Sequence, residues 1–115
     1  MKYLLLICAA ESDYAKMTPD QSTANMEAYR VFTEDIAQSK VMVSGEALQP
    51  IATAKTVRLR DGKVVTTDGP FAETKEQVAG YYVVDCKTID EAVAIAARIP
   101  DAKIGSIEVR PVMEM

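Results

Sequence analysis

Ionisable side chains are concentrated in residues 68–76, which read DGPFAETKE. They are Asp68, Glu73, Lys75 and Glu76. Asp-Gly-Pro favours a sharp reversal of the chain. If the resulting loop folds over a cleft, one carboxyl group could transfer a proton while Lys75 stabilises an anionic intermediate. In the competing structural interpretation, Asp68 caps the turn, Phe71 fills the core and Lys75 pairs with a carboxylate at the rim.

Four further residues are candidates for a site. Glu46 follows Gly45 at the end of a predicted strand, where it could act as a general base or be a solvated edge charge. Tyr29, on the inner face of a predicted helix, is an acid–base candidate, although a phenol there commonly packs into the core. Arg58 and Arg110 could clamp a carboxylate or phosphate, or could be surface charges that alternate with core residues.

The absence of histidine limits the available chemistry. It excludes Ser-His-Asp and Cys-His arrangements, so acid–base catalysis would depend on carboxylates, lysines or tyrosines. Cys8 and Cys86 lie in apolar runs without a metal-ligand spacing, which predicts reduced buried thiols in a cytoplasmic protein. No phosphate-cradling glycine pattern, metal-ligand cluster or haem motif occurs, so we expect no cofactor and no metal.

The bulk composition is that of one folded domain spanning residues 1–115. The chain is 49% hydrophobic and 26% charged, unlike a disordered segment. The formal net charge of -4 disfavours a nonspecific nucleic-acid binder. The apolar run near the N-terminus could be mistaken for a signal sequence, but it is short and better interpreted as a strand. No run is long enough to span a bilayer, so we expect no membrane partner.

Turn and cap signals divide the chain into alternating elements. A Thr18-Pro19-Asp20-Gln21 capping pattern starts a helix that runs to about Ser39. A second capped helix starts at Thr88 and is stopped by Pro100. The strands are predicted at 2–9, 41–45, 80–86 and 104–113, with a hairpin of strands 56–60 and 63–67 around Asp61-Gly62.

The periodicity of apolar residues predicts which helical faces pack inward. In the first helix these positions are Met26, Tyr29, Phe32 and Ile36. In the second helix they are Ala92, Ile95, Ala96 and Ile99. Both helices are therefore expected to cover one face of a sheet.

This order of elements predicts an α+β fold of the ferredoxin-like split βαβ type with a β-hairpin insert. Strand 2–9 has apolar side chains at consecutive positions, so its second face should also be covered. Burial of several hundred Å² at ~25 cal/mol per Å² would contribute several kcal/mol, offset by the cost of association. We therefore expect a homodimer with facing sheets. Adjacent antiparallel strands also place Cys8 and Cys86 near opposite ends, too far apart for a disulfide.

The string at 68–76 resembles the signature of the DGPF branch of the YCII-related family. Similarity to this family extends over essentially the whole chain, through MKYLLLI at 1–7, GEALQP at 45–50 and GSIEVRPV at 105–112. The resemblance implies a dimeric α+β barrel. Other YCII-type proteins, one of which removes chloride from a chlorinated hydroxyhydroquinone, carry a histidine and aspartate pair thought to be catalytic. This chain lacks the histidine, and Tyr29 lies in the helix where that histidine would fall.

Two functions remain open from the sequence. In the first, the protein is a pocket protein or enzyme that handles a small polar or anionic organic compound. Its pocket would lie between the sheet, the first helix and the 68–76 loop, with Asp68, Glu73, Lys75, Glu46 and Tyr29 as candidate catalytic residues. In the second, it is a non-catalytic regulatory or interaction module, because DGPF-type proteins are often associated with extracytoplasmic-function sigma factors.

Overall fold

A four-stranded antiparallel sheet forms the centre of the computed structural model, which describes residues 1–115. The strands are β1 (Lys2–Ala9), β2 (Met42–Ala47), β3 (Lys55–Arg60), β4 (Lys63–Asp68), β5 (Gln77–Asp85) and β6 (Ser106–Pro111). The strand order of the sheet is β2-β5-β1-β6, and a separate hairpin pairs β3 with β4. The result is a mixed α+β architecture consistent with the ferredoxin-like prediction.

Helices α2 (Pro19–Gln38) and α3 (Ile89–Ala96) begin where the caps predict. Thr18 and Gln21 exchange hydrogen bonds, because each side chain accepts from the other's backbone N–H, at 3.1 and 2.9 Å. Thr88 accepts from the backbone N–H of Glu91 at 3.2 Å. The helices are α1 (Glu11–Ala15), α2 (Pro19–Gln38) and α3 (Ile89–Ala96), with short 3₁₀ helices at Ile51–Thr53 and Pro100–Lys103. None of them is long and apolar enough to cross a membrane.

The core lies between one face of the sheet and helices α2 and α3. Its largest fully buried side chains are Leu5, Ile36, Val84 and Ile99. The rings of Phe32 and Tyr82 meet edge to face, with centroids 5.3 Å apart. Alternation along β1 therefore turns Tyr3, Leu5 and Ile7 towards the helices.

The opposite face of the sheet carries an apolar stripe between two polar margins. Its central columns contain residues of β1 and β5 that pair across the sheet, namely Leu4 with Val83, Leu6 with Tyr81 and Cys8 with Val78. Ser44 and Glu46 of β2 border one side, and Ser106, Glu108 and Arg110 of β6 border the other. Cys8 and Cys86 are free and lie near opposite ends of the strands, but both are half-buried, whereas the sequence predicted buried thiols.

The hairpin of β3 and β4 matches its sequence signal. Asp61 and Gly62 both have positive φ, 52° and 75°, as a tight two-residue turn requires. Much of the apolar surface of the hairpin is exposed, with Val57 62%, Leu59 65% and Val64 69% accessible. The hairpin therefore adds little to the core of the isolated chain.

Several details differ from the sequence analysis. Met26 does not face inward but is 73% exposed, because the inward stripe of α2 continues from Tyr29 to Asn25, one position earlier. Phe71 does not fill the core and is 82% exposed. The short helix α1 was not predicted, since no cap or periodic pattern marks it.

Candidate functional site

A cavity of about 460 Å³ lies between helix α2 and the edge of the sheet formed by β2 and β5. This volume is within the range of small-molecule sites. Apolar wall residues include Ile7, Met42 and Leu48. The polar residues of its lining come from five elements and are Tyr14, Tyr29, Thr33, Glu46, Tyr81, Tyr82 and Asp101.

Asp101 is the buried charge of this cavity, with only 4% of its surface exposed. Its Oδ2 atom accepts hydrogen bonds from the hydroxyls of Tyr14 and Tyr29, both at 2.7 Å. Its Oδ1 atom accepts a longer bond of 3.4 Å from the side-chain amide of Asn25. The two bonds of 2.7 Å from the phenols to the carboxylate are short and strong, so the two phenols and the carboxylate form one unit.

The local sequence explains how Asp101 is held. Pro100 starts a 3₁₀ helix, a position where the missing N–H costs nothing. Ile99 beside it is buried in the core. The carbonyl oxygen of Asp101 accepts from the backbone N–H groups of Ile104 and Gly105 at 3.1 and 2.8 Å. The backbone is thereby held so that the carboxylate faces α1 and α2.

The environment of the two phenols keeps them protonated. Burial, followed by the hydrogen bond to Asp101, raises the pKa of Tyr14 and of Tyr29 well above the ordinary tyrosine value. The negative charge of Asp101 acts in the same direction. Both tyrosines are therefore hydrogen-bond donors to the carboxylate at neutral pH, and neither is a phenolate.

A second polar pair also lines the cavity. The hydroxyl oxygens of Thr33 and Tyr82 are 2.6 Å apart, and either can donate. The ring of Tyr82 occupies the space that a side chain at Gly45 would need, since a Cβ atom there would lie 2.6 Å from the ring atom Cδ1. Glycine at this position therefore allows Tyr82 to pack beside β2.

No lysine or arginine lines the cavity. Glu46 lies along its edge, but pairing places the side chain elsewhere. Glu46 is opposite Tyr81, which is opposite Leu6 on the apolar stripe, so the carboxylate of Glu46 points to the open face of the sheet. The structure has no group of three or more acidic or cysteine side chains placed to hold a metal ion.

The structure separates the residues that the sequence grouped as candidates. Tyr29 lines the cavity, whereas Asp68, Glu73 and Lys75 lie outside it and are exposed. Asp68 forms an ion pair with Lys55 across the hairpin. Other residues of the 68–76 loop line an adjacent cleft of about 490 Å³, and these are Pro70, Phe71, Ala72, Thr74 and Glu76.

The two arginines do not join the cavity either. Arg58 is half-buried in β3, and Arg110 pairs with Glu108 on its own strand. An anion clamp made by both would require them to converge, and they belong to different sheets.

Asp101 and Tyr14 are the residues that the sequence analysis missed. The partners of Asp101 lie 72 to 87 positions away from it in the chain. No local spacing connects residues at such separations. The one usable signal is Pro100, which indicates that a new turn starts at Asp101 after a buried helix end.

The comparisons with known proteins agree with this architecture. The profile of the YCII-related domain matches residues 1–115. The chain therefore belongs to the YCII-related family. It is 47% identical over 66 residues to an uncharacterised protein of Rhizobium meliloti (strain 1021), an alignment that covers 56% of this chain. The same alignment spans 53%, about half, of the length of that relative.

Proposed function

We propose that this protein is a small-molecule pocket protein whose cavity supports acid–base chemistry. The observation that carries the proposal is the buried unit of Asp101, Tyr14 and Tyr29 at one wall of a ligand-sized cavity. A carboxylate bonded to two phenols can move protons without histidine. Tyr29 remains a catalytic candidate, and Asp101 and Tyr14 join it.

The proposed proton path runs through a phenol. A bound compound transfers a proton to the hydroxyl oxygen of Tyr29 as that hydroxyl passes its own proton to Oδ2 of Asp101, 2.7 Å away. The carboxylate becomes a carboxylic acid and the phenol stays neutral. Reversal of the path returns the proton to the product, so the unit serves as base and then as acid. Tyr14 offers an equivalent route at the same distance.

This proposal is tested by fragment binding followed by amide chemical shifts. We expect hits from a general fragment library to shift the backbone amides of Tyr29, Thr33 and Gly45. For any compound that the wild type turns over, Tyr29→Phe should lower kcat by ~10²-fold or more, as expected for loss of general acid–base catalysis. Tyr3→Phe, which changes a core tyrosine outside the cavity lining, is the matched control. Fragments that shift only residues remote from the cavity would contradict the proposal.

We further propose that the protein is a homodimer in which two sheets face each other, as in a dimeric α+β barrel. An apolar stripe with polar margins has the composition expected of an interface core and rim. The half-buried Leu6 lies near the middle of this stripe. Leu6→Lys should convert a dimer to a monomer in sedimentation at micromolar concentration, whereas Ala37→Lys on the exposed side of α2 should not. A wild-type monomer under these conditions would contradict the dimer.

We assign the chain to the DGPF branch on the string at 68–76, and to the cytoplasm on its two free thiols. Neither the branch nor the location depends on the proposed pocket function. Fractionation of native cells tests the second: recovery of the protein outside the cytoplasm would reject it.

A second candidate function is an interaction module, with an extracytoplasmic-function sigma factor as the proposed partner. The observation that favours it is the exposed apolar surface of the hairpin, formed by Val57, Leu59 and Val64. Changing all three to threonine should abolish co-purification of the sigma factor while leaving the fold intact. Unchanged recovery of the sigma factor, or none with the wild type, would remove this candidate.

A further inference from the structure

The hydroxyls of Tyr14 and Tyr29 both point their hydrogens at Asp101. Each phenol can donate only one hydrogen bond, so towards the cavity its oxygen acts as an acceptor. Between Thr33 and Tyr82, one hydroxyl donates to the other, so this pair has a single hydrogen left to donate to a ligand. The polar side chains of the cavity therefore present more acceptors than donors.

The charged groups around the cavity also favour a cationic ligand over an anionic one. Asp101 is negative and buried, and its close partners are neutral hydroxyl groups. A side recess of about 230 Å³, which shares Tyr14 with the cavity, contains Glu11, whose carboxylate accepts from the backbone N–H of Ile51 at 2.7 Å. Neither the cavity nor the recess has a lysine or arginine in its lining. An anion in the cavity would face negative charge without a compensating cation.

Aromatic rings complete the pattern. Tyr14, Tyr29 and Tyr82 line the cavity with apolar neighbours around them. The faces of tyrosine rings attract cations. An ammonium group carries three donors and no acceptor, which matches a cavity that supplies acceptors.

We propose that the cavity binds a small organic ammonium ion, in which N–H groups donate to the phenol oxygens near Asp101 and the apolar part packs against Ile7, Met42 and Leu48. The inference rests on the proposed pocket function and specifies its ligand class. It replaces the polar or anionic compound considered from the sequence with a ligand of the opposite charge.

Three probes of nearly equal size and different charge test this ligand class: benzylammonium, benzyl alcohol and benzoate. Each is titrated into the full-length protein at neutral pH and moderate salt, and backbone amide shifts report both the site and the affinity. Benzylammonium should shift the amides of Tyr29, Thr33 and Gly45. It should bind at least ~10-fold more tightly than benzoate, because the buried carboxylate of Asp101 attracts the positive probe and repels the negative one. Benzyl alcohol should bind with intermediate affinity.

Variants separate the charge from the hydrogen bonds. Asp101→Asn keeps the shape and should reduce the preference for benzylammonium over benzoate by ~10-fold. If Asp101→Asn does not fold, Tyr29→Phe supplies the second test, because it retains the charge and should weaken benzylammonium by about fivefold through loss of one acceptor. Glu114→Gln removes an exposed carboxylate beyond β6 and should leave all three affinities unchanged.

Each outcome decides the question. Binding of benzoate at the cavity as tightly as benzylammonium, or more tightly, would overturn the ammonium assignment and leave the pocket function standing. No shift of the cavity amides by any of the three probes would overturn the assignment together with the pocket function. A preference that is unchanged in Asp101→Asn, together with a benzylammonium affinity that is unchanged in Tyr29→Phe, would show that the selectivity arises elsewhere, which also overturns the proposal.

Discussion

Removing the hydroxyls of Tyr14 and Tyr29 together is expected to destabilise the protein by more than the sum of the two single changes. Both phenols donate to the same oxygen of Asp101 at 2.7 Å. When one is changed to phenylalanine, the other still satisfies that oxygen. We therefore expect the free energy of unfolding of each single variant to fall by about 1.5 kcal/mol, which is the lower end for a hydrogen bond to a charged group.

The double variant leaves Asp101 with the amide of Asn25 at 3.4 Å as its only side-chain donor. Removing the close partners of a buried charge costs about 3–5 kcal/mol. We expect the double variant to lose about 4.5 kcal/mol, so that the coupling energy is about 1.5 kcal/mol. A coupling of this size would mean that the three side chains behave as one unit.

The assay is urea unfolding at neutral pH, with all variants at one protein concentration because dimerisation would make stability depend on it. Tyr3→Phe is the control: Tyr3 lies in the core outside the cavity lining, and its hydroxyl makes only a long bond of 3.8 Å to the sulfur of Met1, so the change in unfolding free energy should be within about 0.5 kcal/mol. Strict additivity of Tyr14→Phe and Tyr29→Phe would refute the shared-oxygen argument. An equal loss of stability in Tyr3→Phe would show that the cost reflects general packing.

Two further predictions concern other properties of the cavity lining. Because the fold raises the pKa of Tyr14 and Tyr29, the folded state holds their protons more tightly, so stability should fall as pH rises above about 10. Denaturant titrations at alkaline pH should show a weaker fall in the double phenylalanine variant, and an equal slope would contradict the assignment. Gly45→Ala should lose about 1–3 kcal/mol by overpacking against Tyr82, while Ser44→Ala should change stability by less than about 0.5 kcal/mol. A neutral Gly45→Ala in thermal unfolding would mean that the Tyr82 ring moves freely.

The predicted elements that agree with the structure depend on chemistry between close neighbours in the chain. The Thr18 and Gln21 cap acts over three positions, and the Asp61-Gly62 turn acts within two. A short run of consecutive apolar residues identified β1, and helical periodicity identified the inward face of α2 at Phe32 and Ile36. Such signals can be recognised without knowing what packs against what.

Predictions about what fills a space were less successful. Phe71 is large and apolar, which suggested burial, but its loop lies beside an open cleft and the ring is exposed. Met26 was placed on the inward stripe, yet one position of rotation along α2 puts Asn25 there instead. Hydrophobicity alone does not specify which neighbour is available to cover a side chain.

The sequence by itself determined the family, the order of the main elements, the caps and turns, and the absence of histidine. Only the tertiary structure brought Asp101 to Tyr14 and Tyr29, across 87 and 72 positions, and turned the side chain of Glu46 away from them. The physical reason is that hydrogen bonds between distant segments depend on how α1, α2 and the 3₁₀ helix at Pro100–Lys103 pack on the sheet. That packing is a property of the whole core, and no short stretch of residues encodes it.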